Sequence, residues 1–274
     1  MSEKALFSYP VETATPSRRR MALTMLLVWL AWFFANLAAN GLFFISAHGR
    51  PGARLPGEML YYLGVCLVGI VVAWHLVKRW QLDTPLLPER RGPGFWLGTA
   101  AFLALAVLLG ISAMAEQGVT LADVAQRPVA WIVAPIPVLG PTMLAYTLLW
   151  YGFFLPGFRK LYGKSRWATA LAVVSAAFVY GVYHLASVDE ILTLSAVLDE
   201  ILITTLIGIA FGTYVVLARS LLAAFLINWL LNWFVFTPVE TFHPPAALWP
   251  MGTVVLAGVW LGYRYLWLEK GPGG

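Results

Sequence analysis

Residues 220–236 read SLLAAFLINWLLNWFVF, a near-continuous apolar run interrupted by two amides, Asn228 and Asn232. Their spacing of four places them on one face of a helix. Apolar flanks put that face where an unpaired amide is costly, so other parts of the protein must meet it. A run of this kind belongs to a helix that packs inside a membrane bundle.

The rest of the chain agrees with that environment. Of 274 residues, 60% are hydrophobic and 11% are charged, and 13 are Trp. This balance predicts an all-α, polytopic membrane protein. Crossing a hydrocarbon core of roughly 30 Å takes about 20 helical residues. By that measure eight segments qualify or nearly so: 21–45, 59–77, 95–114, 129–156, 167–187, 191–217, 220–236 and 246–267.

Lys and Arg set the expected orientation, because positive charges beside span ends are retained in the cytoplasm. With the N-terminus inside, fifteen of the 18 basic residues fall on the cytoplasmic side and three, Arg50, Arg54 and Arg127, fall outside. The chain is therefore expected to be integral to the cytoplasmic (inner) membrane, with both termini cytoplasmic. The net charge of +5 then reports topology and surrounding membrane lipids, and no nucleic-acid partner is expected. The first span follows Arg18-Arg19-Arg20 and is longer than the apolar core of a signal peptide, so it reads as a retained anchor. Cys66 stands alone and forms no internal disulfide.

Four regions organise the chain: a cytoplasmic tail at 1–20, a three-helix membrane scaffold at 21–128, a helical core at 129–236, and an outer loop, last span and C-terminal tail at 237–274. Polar side chains gather in the third. Pro135, Pro137, Gly140 and Pro141 predict a kink or a new helix near Pro141, with the segment from Tyr146 facing the bundle interior. Pro156-Gly157 is expected to end that helix, and Arg159 to Lys164 to form a basic turn. Asp199 and Glu200 lie deep enough in the sixth span to be candidate functional carboxylates. Asp189 and Glu190 read as part of an amphipathic surface stretch.

Three pieces then fall in order: Tyr146-Thr147-Leu148-Leu149-Trp150-Tyr151-Gly152, then Tyr180-Gly181-Val182-Tyr183-His184, then Asn228 to Asn232 after a Gly208 to Gly212 stretch. Their order and spacing over roughly 140–235 resemble the CPBP (Abi) family of CAAX-protease and bacteriocin-processing intramembrane proteases. That family's motifs are Glu-Glu-x-x-x-Arg-Gly, Phe-x-x-x-His and His-x-x-x-Asn. The resemblance implies a CPBP-like helical bundle, with a Glu that activates water for attack on a peptide carbonyl while His and Asn polarise water and oxyanion.

This chain departs from the pattern at most of the implied catalytic positions. Tyr146 and Thr147 stand where the family has its two Glu, Tyr151 where it has Arg, and Asn228 where it has the third-motif His; His184 and Asn232 are kept. A positioned base supplies about 10² to 10⁴ in rate, and neither Tyr146 nor Thr147 is a base near neutral pH. The expected function is thus a catalytically silent CPBP-like membrane protein that serves as a binding or accessory partner to another membrane protein. An intramembrane peptidase with altered chemistry is the first alternative, through Thr147 as nucleophile with His184 as base, or through Glu200 reaching His184. A small accessory subunit of a larger respiratory or photosynthetic membrane complex is the second.

Cofactor signals are sparse. His75, beside Trp74 in the second span, is a candidate axial ligand for a pigment-type metal, although most such histidines are interfacial or hydrogen-bonded. A pigment or lipid is the only ligand class in view. No metal site is expected, since His184 is the one histidine of the core region and metals usually take three or more protein ligands.

Overall fold

The computed structural model describes residues 16–47, 56–84, 92–116, 118, 120, 122, 126, 136–187 and 193–236. These form helices and their connections, with no strand among the described residues. In chain order they are α1 (Arg18–Ala47), α2 (Pro56–Arg79), α3 (Pro93–Glu116), α4 (Ile136–Tyr146), a π-helical segment (Thr147–Phe154), α5 (Leu155–Tyr162), α6 (Ala168–His184), a 3-10 turn (Leu185–Ser187), α7 (Leu194–Ala218) and α8 (Leu221–Phe236).

Seven of the expected spans thus have helical counterparts, and the eighth, 246–267, lies outside the described residues. By length and apolarity alone, two described stretches are able to cross a bilayer, Arg18–Ala38 and Leu194–Ala218. The outward surface fits that solvent. Leu26 of α1, Val71 of α2, Ile111 of α3 and Leu202 of α7 are more than half exposed. Lipid tails accept such side chains at no cost, and exposed apolar stripes of this extent are unusual for a protein in water.

The π-helical segment sits at the centre of the bundle. All eight of its residues are buried, and it packs against α2, α4, α5, α6 and α8. Of the kink or new helix expected near Pro141, the described residues show a helix. Helix α4 runs through Pro141 from Ile136, because the carbonyl that Pro141 leaves without its N–H belongs to Pro137, close to the helix start where other orphan groups already lie. Nor does Pro156 end the helix: it occupies the first turn of α5, which continues to Tyr162. The amide before it, Leu155 N–H, bonds to Trp150 O, five residues back. A wide turn at this point absorbs the donor that Pro156 lacks, and Arg159 and Lys160 end up on a helix rather than in a turn.

Among the described residues, helices α6 and α7 make the most extensive pairing, meeting through small residues. A Cβ added to Gly208 would lie 2.9 Å from Ala177 Cα, and one added to Gly181 would lie 2.8 Å from Ile201 O. Small residues let backbones approach and allow dispersion contacts that lipid would not supply. At its far end α7 stops on Arg219, held at φ 47° and ψ 40°, a left-handed cap that redirects the chain into α8.

Aromatic side chains fill the remaining space. Phe102 of α3 packs on Phe211 and Tyr214 of α7 at ring distances of 4.8 and 4.9 Å. Trp80, whose position beside a span end suggests an interfacial anchor, is instead 5% exposed and lies 5.3 Å from Phe153. Its carbonyl accepts from Lys160 Nζ at 2.8 Å, which ties the end of α2 to α5. Trp96 and Trp167 do face outward.

Candidate functional site

Tyr146, Thr147 and Tyr151, the positions of the implied catalytic pair and arginine, span the junction of α4 and the π-helical segment. The π turn is a local widening of the helix that re-aims its side chains, a device frequent at functional sites. Here it carries Trp150 into the interior, 1% exposed. The Trp150 ring lies 5.5 Å from Tyr180 and 5.1 Å from Tyr183 of α6, and stacks at 5.0 Å on Phe154.

Tyr146 closes the same cluster. Its ring meets Tyr180 and Tyr183 edge-on at 6.4 and 5.7 Å, and its hydroxyl lies 3.0 Å from that of Tyr183. Four large rings, those of Tyr146, Trp150, Tyr180 and Tyr183, therefore pack together here. Thr147 is buried beside them, and its Oγ1, like Trp150 Nε1, has no hydrogen-bond partner among the described residues. The Thr147–His184 contact that a nucleophile and base require is not made.

His184 is occupied elsewhere. Its Nδ1 lies 2.8 Å from Glu200 Oε1 of α7, with the two side chains 34% and 31% exposed. Helix α7 thus turns Glu200 inward, while Asp199 is exposed. Glu200 is further fixed through its backbone, whose carbonyl accepts from Thr204 Oγ1 at 2.6 Å. The His184 ring also sits 5.9 Å from Tyr180. The structure consequently gathers Tyr146, Tyr180, Tyr183, His184 and Glu200 along one side of α6. Tyr180, Tyr183 and His184 follow i, i+3, i+4 spacing, and that spacing is the sequence signal that Tyr183 belongs with the site.

Asn228 is buried on α8 at 8% exposure, and that helix packs against α4 and the π-helical segment. Asn232 lies in α8 with its side chain outside the described residues. Asp189 and Glu190 are likewise outside them. His75 lies on the exposed face of α2, one turn before Lys78. Lys78 Nζ sits 4.7 Å over the Trp74 ring, giving that end of α2 an interfacial character. Among the described residues, no three His, Cys, Asp or Glu side chains converge as a metal-binding group.

Chemically, a His–carboxylate pair can orient an imidazole and hold a proton, but the ring-filled space beside it leaves no acidic or basic group at Tyr146, Thr147 or Tyr151. No curated protein matches the chain, and no solved structure does. Residues 127–234 match the family model described as Type II CAAX prenyl endopeptidase Rce1-like, a match that contains α4, the π-helical segment, and α5 to α7, with most of α8. Over residues 127–234 the chain is thus similar to the Rce1-like (CPBP/CAAX protease) family, whose fold is membrane-embedded.

Proposed function

We propose that this chain is a catalytically silent member of its family, an integral membrane protein that acts by binding a membrane-protein partner. One observation carries the reading. By the resemblance Tyr146 and Thr147 stand at the family's glutamate positions, and the Tyr146 hydroxyl lies 3.0 Å from Tyr183 in a shell closed by Trp150 and Tyr180. Water attacks a peptide carbonyl only when a base takes its proton, and the described side chains at these positions supply none. An eight-span bundle in the cytoplasmic membrane, with both termini inside, is the topology that accompanies this reading, supported by the distribution of Lys and Arg. The partner, by the same reading, is a helical membrane protein that meets the outward apolar faces.

A second reading has its own observation. With Glu200 holding Nδ1 of His184 at 2.8 Å, the opposite ring nitrogen is free to take a proton from water, as an oriented imidazole does in hydrolytic triads. That would be a peptidase of altered chemistry.

Comparison of membrane-protein processing in cells carrying the wild type, His184→Ala and Glu200→Gln separates the two. The silent reading expects the same set of cleavage products in all three. A product present with the wild type and lost in both variants establishes the second.

A further inference from the structure

Helices α1, α5 and α6, with Phe154 of the π-helical segment, line a cleft that Tyr146, Thr147 and His184 do not reach. Its volume is ≈ 340 Å³, and its walls are apolar: Met25, Leu26 and Trp29 from α1, Phe158 and Leu161 from α5, and Val182 from α6. The one polar wall atom contributed by Trp29 is already engaged, since its Nε1 donates to Val179 O at 3.1 Å. From Ala22 to Trp29 the α1 wall spans eight residues, a rise of about 10 Å over seven steps of about 1.5 Å.

One end of this cleft is strongly basic. Arg18 precedes the lining residue Ala22 by one helical turn, and Arg19 follows on the adjoining face. A Cβ built on Gly163, just after α5, would lie 2.9 Å from Arg18 Nη2. The Arg18 side chain therefore crosses from α1 to the end of α5, over the end of the cleft marked by Leu161. Neither Arg18 nor Arg19 is paired with a carboxylate among the described residues. The first turn of α1 adds partial positive charge from its amides, with Ser17 Oγ accepting from Arg20 N at 3.3 Å.

We propose that this cleft binds one anionic phospholipid of the surrounding bilayer, with an acyl chain between α1, α5 and α6 and the phosphate at Arg18 and Arg19. The two halves of the site do different work. Lipid tails surround the bundle everywhere, so an apolar cleft alone gains little from holding one and confers no preference among phospholipids. Two guanidinium groups at the same end do confer preference, because each donates in a fork that matches phosphate oxygens, and a zwitterionic headgroup offsets that attraction with its own cation. Cleft and arginines share helix α1, so chain and headgroup are read by one rigid element.

The full-length protein in mild detergent, titrated with phosphatidylglycerol and with phosphatidylcholine of the same acyl chains and followed by native mass spectrometry, tests this. One phosphatidylglycerol is expected to be retained about tenfold more tightly than phosphatidylcholine. Neutralising Arg18→Gln and Arg19→Gln should weaken it roughly fivefold for each charge, and Ala22→Trp, which fills the cleft, should remove it. Equal retention of the two lipids overturns the proposal, as does undiminished binding by a folded Ala22→Trp variant. A phosphatidylglycerol with a photoreactive acyl carbon gives a readout on the wild type itself. Adducts are expected within 22–29 or 178–182. Adducts confined elsewhere, or cross-linking of the cleft to residues 246–267 of the same chain in place of lipid, show another occupant and overturn it.

Discussion

His184 Nδ1 and Glu200 Oε1 lie 2.8 Å apart, joining the last turn of α6 to the second turn of α7. The contact crosses the most extensive helix pairing among the described residues and is flanked by Tyr180. Each side chain is about one-third exposed, so the pair gains less than a buried one and behaves as interhelical glue. Glu200→Gln keeps the shape and removes the charge. It is expected to lower stability in detergent by about 1 kcal/mol, the size of a polar contact between membrane helices, measured by thermal or denaturant unfolding.

The α6–α7 crossing itself is more sensitive. At Gly181 an added methyl group would press on Thr205 Oγ1 and Ile201 O, and the second of these is backbone that cannot rotate away. Gly181→Ala should cost about 1–3 kcal/mol, the range for overpacking a tight interior. Gly64, whose added Cβ meets nothing within 4 Å, is the control: Gly64→Ala should be neutral or slightly stabilising.

Arg219 presents the opposite case. Its left-handed backbone, φ 47°, costs a side-chain-bearing residue roughly 1 kcal/mol that glycine does not lose. Arg219→Gly should therefore raise stability by up to about 1 kcal/mol. A fall in stability would show that the Arg219 side chain makes a contact worth more than the strain.

Within the aromatic shell, Trp150 is the largest fully buried side chain. Trp150→Ala should cost about 3–5 kcal/mol, as expected for truncating a buried aromatic, while Tyr146→Phe removes one hydroxyl contact with Tyr183 and should cost about 1 kcal/mol. Unfolding measured for both variants checks the ratio. Similar losses in the two would contradict the central place given to Trp150.

Much of this arrangement was legible in the sequence. The apolar runs marked the helices, and the order of Tyr146-Thr147, Tyr180 to His184 and Asn228 to Asn232 marked the family whose model covers 127–234. The π-helical segment was not legible. Pro141 and Pro156 were visible as helix breakers, but the choice between a kink and a widened turn depends on the packing around Thr147–Phe154, which local sequence does not encode. The contact of His184 with Glu200 was legible as one option, Glu200 reaching His184 if its helix turned that face inward, and the structure makes it. Asp189, Glu190, Asp199 and Glu200 are all within 16 residues of His184, and the rotation of α7, set by the close approach of Gly208 to Ala177, selects Glu200 over its neighbour Asp199. Trp80 misled for a related reason: a tryptophan at a span end is an interfacial anchor or a core residue according to which helix covers it, and α5 covers this one through Lys160.

The proposed silence of the family site is tested most directly by peptidase turnover. The wild type, reconstituted in liposomes, is given a prenylated CAAX peptide, the substrate class in the family description, alongside His184→Ala, Glu200→Gln and the double variant Tyr146→Glu/Thr147→Glu. The account predicts turnover by the wild type indistinguishable from that of His184→Ala and from empty liposomes. Cleavage by the wild type that disappears in His184→Ala would contradict it.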